Sequence, residues 1–461
     1  MRTHFRAEQL ADPSIAEAEK NLRACVHCGI CTATCPTYVL LGDERDSPRG
    51  RIVMMQQMLE QDGAPSEETV THLDRCLSCL GCRTACPSGV DYARLIDQSR
   101  AHIQQHYRRP LADRILRWTI ATVLTRPTFI RLALSLANLF SPFVGLLPGR
   151  LHAMARKALP LSSPVYGGGG SPRSGETEGG IRAHPPSASL RSAPPPQAGE
   201  DKMHRIALLP GCVQQVIAPE IDEAAARLLA RRGIPLEPLQ GAGCCGALAH
   251  HLGRDNEARA WAKQMIEAFD RAGGSRAFEG ILITATGCAA HIADYPQLFR
   301  GEPDWQARAQ ACASKLMQLT ELVFNPPLEG GWGKSMRVAL QVPCSLQHGL
   351  RGDDGAGVLR AAGFRVVAIP EGHLCCGSAG SYSILQPEIA NLLRGRKLEN
   401  IRAIGPDVVG TSNIGCLQHL RGADAPPIVH LAELLDWAEG GPVPRALQHR
   451  AELMASPSLA G

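Results

Sequence analysis

The chain has 461 residues, 44% of them apolar and 20% charged, with a net charge of +4. That length exceeds one ordinary hydrophobic core, so two or three domains are expected. Dispersed basic residues and an aromatic content of 4% leave neither an electrostatic footprint nor stacking platforms, which argues against a nucleic-acid partner.

Cysteine is the unusual component. There are 17, an odd number, and the opening segment MRTHFRAEQLADPS has no apolar leader. A disulfide framework wants an even count and a secretory signal. The expected location is therefore the cytoplasm, where thiolates are available as ligands.

In chain order, residues 1–110 read as helical. Asp12-Pro13 and Ser47-Pro48 each set a capping residue before a proline suited to the first helical position. Helices are predicted from those points, over about Arg49–Glu60 in the second case, and again from Asp91 to Tyr107.

Two cysteine runs lie among these helices: Cys25, Cys28, Cys31 and Cys35-Pro36, then Cys76, Cys79, Cys82 and Cys86-Pro87. Both follow the spacing C-x2-C-x2-C-x3-C-P of two-cluster ferredoxins, where the fourth cysteine ligates the other cluster. That pattern implies one [4Fe–4S] cluster on Cys25, Cys28, Cys31 and Cys86, and a second on Cys76, Cys79, Cys82 and Cys35. Structural zinc competes, but its C-x2-C pairs usually stand well apart in sequence, which fits these compact runs poorly. Forty residues separate Cys35 from Cys76, so the region resembles the α-helical ferredoxin domain of respiratory dehydrogenase subunits. His27, between ligands, reads as an unliganded surface histidine; the alternative is a hydrogen bond that tunes the cluster.

Residues 111–160 read as a helical connector. Its uncharged run from Leu132 to Gly149 is broken by Pro142 and Pro148, and a spanning helix needs about 20 apolar residues. Packing on the protein is the first reading; docking of its apolar face on a membrane or membrane partner is the second. Residues 161–202, with Gly167–Gly170 and Pro194–Pro196, read as a disordered linker or insertion.

The remainder is an internal repeat, predicted as domains over 203–325 and 335–440. Cys212, Cys244-Cys245-Gly246 and Cys288 recur as Cys344, Cys375-Cys376-Gly377 and Cys416, at offsets of 132, 131 and 128. In the first copy, strands are predicted over Arg205–Leu209, Pro235–Leu239 and Ile281–Ala285. In the second they fall over Arg337–Val342, Arg365–Ile369 and Val408–Ser412. Helices such as Pro219–Arg231 and Pro387–Arg402 lie between them. Strands alternating with helices give a parallel α/β sheet, whose sites form beyond the carboxyl ends of the strands. Each repeated cysteine falls there. The fold class is thus α+β multidomain: a helical two-cluster domain followed by two α/β repeats.

The repeats resemble the cysteine-rich CCG domain of heterodisulfide reductase and related subunits. In the fullest family pattern the last cysteine belongs to a C-x-x-C pair; here the partner position is histidine, as Cys288-x-x-His291 and Cys416-x-x-His419. Three readings stay open: a metal or cluster (iron–sulfur or zinc) with histidine as an extra ligand, thiol redox or docking chemistry, or relic thiols packed as small apolar groups. Cys312 falls outside the repeat and reads as neither ligand nor reactive.

No dinucleotide fingerprint follows a strand, and no Cys-x-x-Cys-His marks haem attachment. Cubanes move single electrons, whereas hydride or alcohol chemistry belongs to a cofactor such as flavin. The chain reads as a relay subunit.

As a whole the chain resembles the iron–sulfur subunits of glycolate oxidase. The resemblance rests on Glu8-Gln-Leu-Ala-Asp12, Cys25-Val-His-Cys-Gly29, Cys31-Thr-Ala-Thr-Cys-Pro-Thr37 and Leu41-Gly-Asp-Glu44. It continues through Asp46-Ser-Pro-Arg-Gly-Arg51, His72-Leu-Asp-Arg-Cys76, Cys86-Pro-Ser-Gly89 and Ile414-Gly-Cys-Leu-Gln-His419. The insertion at 161–202 departs from it. The resemblance implies a hetero-oligomer with flavin subunits carrying FAD, which oxidise glycolate to glyoxylate. Electrons would then pass through this chain to a quinone or other membrane acceptor, with the chain peripheral on the inner face of the cytoplasmic membrane. A lactate or glycerol-3-phosphate dehydrogenase subunit, a thiol reductase module and a redox sensor are the alternatives.

Overall fold

The computed structural model describes residues 1–61, 63–139, 205–323 and 336–448. The predicted insertion at 161–202 and the connector beyond residue 139 lie outside the described residues. The described parts of 1–133 and 205–448 pack as one compact unit. Of the other unit only Leu134–Leu139, the end of helix Pro127–Leu139, is described.

The first hundred residues are helical, and the capping residues explain where the helices begin. Asp12 accepts from the Ser14 N–H at 2.8 Å and opens helix Pro13–Ala24. Ser47 Oγ accepts from the Gly50 N–H at 3.0 Å at the head of Pro48–Gln61. These two helices, with Glu67–Asp74 and Tyr92–His106, close around Leu22, Met55, Leu73, Leu95 and Ile96, all fully buried. Each such side chain contributes roughly 1.5–3 kcal/mol through burial.

Helix Leu111–Val123 has two apolar faces. Ile120 and Ala121 are buried against Leu252, with Ile384 and Leu385 beside them. Leu111, Ile115 and Trp118, spaced along the other face, are 69%, 55% and 57% exposed. Among the described residues no single helix is long and apolar enough to cross a membrane; only the bent pair Leu111–Val123 and Pro127–Ala137 meets that test jointly.

The repeats fold alike. The first contains β1 (Ile206–Leu208), β2 (Leu236–Pro238), β3 (Gly280–Leu282) and β4 (Leu316–Met317), in the order β2-β1-β3-β4. The second contains β5 (Arg337–Gln341), β6 (Arg365–Ala368), β7 (Val408–Thr411) and β8 (Ile428–His430), in the order β6-β5-β7-β8. Every pairing is parallel. The α+β class read from the sequence therefore stands, with a fourth strand in each sheet that sequence periodicity did not reveal. The predicted strand Ile281–Ala285 is shorter and earlier, because residues 283–285 already lead into helix Thr286–Ala293.

One core runs through both repeats, joining Ile221, Leu228 and Leu229 to Leu434, Leu435 and Trp437. Asp436, only 1% exposed, is held there by Arg227 Nη2 at 2.8 Å and Arg231 Nη2 at 2.5 Å. The strand order reverses between β1 and β3, and again between β5 and β7. Loops diverge at such a switch point and leave a crevice at the carboxyl ends of the strands.

Candidate functional site

The two ferredoxin runs coil the backbone in the same way. His27 and Gly29 have φ of 57° and 83°, and their counterparts Ser78 and Leu80 have 51° and 62°. These left-handed steps curl each run so that successive thiols converge. Cys25, Cys28, Cys31 and Cys86 line one pocket, walled by Pro48, Ile52, Val90 and Tyr92. Cys82 forms part of the same wall and also faces Cys79, Cys76 and Cys35, so the second four thiols gather directly behind the first. Cys28 is exposed, whereas Cys25, Cys35, Cys76 and Cys82 are buried.

Electrostatics keep these sulfurs protonated unless a metal takes the proton's place. Burial pushes the Cys31 thiol up to about 11. Burial also raises Cys82 and Cys79, reinforced by neighbouring thiols. So many enclosed thiolates repel one another unless a cation is present, and a coordinated thiol is deprotonated outright. All-sulfur donor sets with apolar walls suit iron–sulfur clusters or zinc. His27 is half-buried in the pocket wall, its Nε2 enclosed without a hydrogen-bond partner, and burial lowers its pKa. It is thus more enclosed than a surface histidine.

Beside the second four thiols lies a charged network the motif reading missed. Arg51 is fully buried. Its Nε donates to the His72 carbonyl at 2.8 Å, its Nη2 donates to Thr37 Oγ1 and Asp46 Oδ1 at 3.1 Å, and its Nη1 points at Cys35 Sγ, 3.8 Å away. Asp46 also meets Arg75 Nη1 and His72 Nδ1, each at 3.0 Å. Tyr92 Oη lies 3.8 Å from Cys76 Sγ. Asp43, Asp46 and His72 bring ligand atoms within 4.8 Å of one another. Arg45 neutralises Asp43 at 2.6 Å, and two guanidinium groups neutralise Asp46, so this is an ion-pair network. A sequence signal existed: Arg51 shares a helix face with buried Met55 and Met58.

Each repeat gathers its cysteines at the switch-point crevice. Cys212 follows β1, and Cys288 lies in the first turn of the helix after β3; Cys344 and Cys416 do the same around β5 and β7. Cys212 Sγ is 3.5 Å from Cys244 Sγ, and Cys244 and Cys288 both lie against Cys245. In the second copy Cys344 and Cys375 are 3.9 Å apart, and Cys376 and Cys416 are 3.3 Å apart. The glycine of each Cys-Cys-Gly has a physical role. Gly246 and Gly377 adopt φ of 88° and 96°, and their N–H groups point at Cys244 Sγ (3.4 Å) and Cys375 Sγ (3.5 Å). A Cβ there would sit 2.9 Å from the Ala258 carbonyl or 2.6 Å from that of Ala390.

The histidines after each last cysteine diverge. His291 Nε2 is buried with no hydrogen-bond partner, and burial lowers its pKa to about 3. His419 Nε2 sits 3.1 Å from the Ala390 carbonyl. Lys397, 2% exposed, faces Cys376, Cys375 and Cys416 of the second copy; burial lowers its pKa, and its Nζ donates to the Glu371 carbonyl at 3.0 Å. Cys312 is fully buried, 3.6 Å from Met265 Sδ, and burial raises its thiol to about 12.

Residues 21–90 match the 4Fe-4S dicluster domain family, and 206–293 and 338–421 match the cysteine-rich CCG domain family. The glycolate oxidase iron-sulfur subunit of Escherichia coli K12 is 36% identical over 441 residues, 95% of this chain and 99% of that protein. A probable glycolate oxidase iron-sulfur subunit of Bacillus subtilis 168 is 28% identical over 92% of this chain and 95% of its own length. Lactate utilization protein A of Geobacillus thermodenitrificans is 27% identical over 50% of this chain and 98% of its own length. On the strength of these matches and of the site geometry, the chain belongs to the family of glycolate oxidase iron–sulfur subunits.

Proposed function

We propose that this chain passes electrons from an FAD-bearing subunit that oxidises glycolate to glyoxylate toward a quinone or other membrane acceptor. Cys25, Cys28, Cys31 and Cys86 would hold one [4Fe–4S] cluster, and Cys35, Cys76, Cys79 and Cys82 the other. Bound clusters supply reversible one-electron transfer. The protein's part is to hold the thiols in place, exclude water with Pro48, Ile52, Val90 and Tyr92, and keep the two sites close. The observation that carries this reading is the back-to-back packing of two all-thiol sets through Cys82.

The exposed stripe of Leu111, Ile115 and Trp118 supports peripheral contact with a membrane or membrane partner. Cys212, Cys244, Cys245 and Cys288, and Cys344, Cys375, Cys376 and Cys416, are candidate further metal or iron–sulfur sites. A second reading, the equivalent subunit of a lactate-oxidising system, is favoured by the match to lactate utilization protein A.

The test is low-temperature EPR of the anaerobically purified complex mixed with glycolate, lactate or glycerol-3-phosphate. Cluster signals appearing preferentially with glycolate support the proposal. Signals only with lactate move the assignment to the second reading, and reduction by dithionite but by no substrate overturns the relay.

A further inference from the structure

We propose that Arg51 makes the cluster held by Cys35, Cys76, Cys79 and Cys82 the higher-potential member of the pair. This rests on the ligand sets proposed above. Reduction adds negative charge to a cluster, so a nearby buried cation or an N–H directed at a ligand sulfur stabilises the reduced form and raises the potential.

The two sites differ in this respect. Arg51 is enclosed, with its side chain 2% exposed and one guanidinium nitrogen 3.8 Å from Cys35 Sγ. Its counter-ion is shared, since Asp46 meets both Arg51 and Arg75, and buried Arg100, donating to the Cys76 carbonyl at 2.6 Å, adds a further cation on this side. Tyr92 Oη and the Ser78 N–H point at Cys76 Sγ from 3.8 and 3.5 Å. Tyr382 from the second repeat closes this side, donating to the Arg75 carbonyl at 3.0 Å, so little water screens the charge. At the first site the Arg49 backbone faces Cys31, but the cations there reach solvent. The Arg49 side chain is 35% exposed and bound to Glu44 at 2.6 Å, and the Met1 ammonium caps the carbonyls of Arg23 and Cys25. Exposed, paired charges of that kind are screened.

The test is an EPR-monitored redox titration of the full chain, with the two signals assigned through Cys28→Ser and Cys79→Ser. The wild-type second cluster should titrate above the first. Arg51→Gln should lower its reduction equilibrium at least tenfold, about 59 mV for a one-electron couple, and leave the first cluster unmoved. Asp46→Asn, which frees Arg51 of its counter-ion, should shift the same signal upward. Arg51→Lys should shift it down by less than Arg51→Gln. Shifts of opposite sign are what a merely structural role would not produce. If Arg51→Gln fails to take up the cluster, Asp46→Asn and Arg51→Lys carry the test. A second cluster titrating below the first, or one that Asp46→Asn leaves unmoved, overturns the proposal. Loss of both signals or of neither in the serine variants overturns the ligand sets, and this proposal with them.

Discussion

The two CCG repeats share one topology but support the helical domain by different means. The first holds it with charge. His250 Nε2 lies 3.3 Å from Asp97 Oδ2 on helix Tyr92–His106, and Arg94 and Glu17 pair with Asp294 and Arg300. The second holds it with apolar and thiol contacts: Leu77 is buried with Cys375, Tyr382, Ile389 and Leu393, and Cys79 and Cys344 pack beside them. Thr84 Oγ1 and His348 Nδ1, 2.7 Å apart, add a polar tie. Duplication thus supplied two copies of one scaffold, and divergence made the first an ionic clamp and the second a cover over the second cysteine set.

The largest way to break that contrast is Tyr382→Ala. Losing a buried aromatic costs about 3–5 kcal/mol, and opening this side should make the second cluster bleach in air before the first, measured by EPR after timed exposure. His250→Gln, which removes the closest cationic partner of half-buried Asp97, should cost about 2 kcal/mol in denaturant unfolding of the full chain. Burial opposes the charge on His250, but Asp97 and Asp255 override it and raise its pKa to about 10. His251 and His291, also facing it, are held neutral by burial. Because the folded pKa lies above the ordinary 6.5, the clamp is complete below pH 6.5 and is lost as the pH rises toward about 10. The wild type should therefore lose stability over that window, and His250→Gln should not share that loss.

Gly246→Ala and Gly377→Ala should each cost about 2 kcal/mol from the left-handed φ and the carbonyl in the way. The loss should be larger at Gly377, whose Cβ would also lie 3.0 Å from His419 Nε2. Paired thermal melts would rank the two. The smallest change should come from Trp118→Ser on the exposed helix face, within about 0.5 kcal/mol of wild type, but with weaker co-sedimentation on lipid vesicles. Unchanged vesicle binding would remove the membrane contact from the account.

The repeat architecture was legible because cysteine is rare and its spacing survives divergence, and because three of the four strands in each sheet carry β-type runs. The fourth strands, Leu316–Met317 and Ile428–His430, run almost directly into helices Leu319–Leu322 and Leu431–Ala438, so their apolar residues merge with the helical pattern. Which thiols converge could be read from spacing alone. Their surroundings could not: Asp97 meets His250 and Arg75 meets Tyr382 across 153 and 307 residues, and such partners converge only when domains dock. Arg51 was half-legible, a charge on an apolar helix face whose counter-ion, Asp46, lies one turn before it.

The central claim, two separate four-thiol cluster sites, is tested most directly by spin quantitation of the dithionite-reduced full chain, compared with Cys28→Ser and Cys79→Ser. Two cubane signals with mutual spin coupling are expected, and in each variant the loss of a different one. A single signal in the wild type, or the same signal lost in both variants, would contradict it.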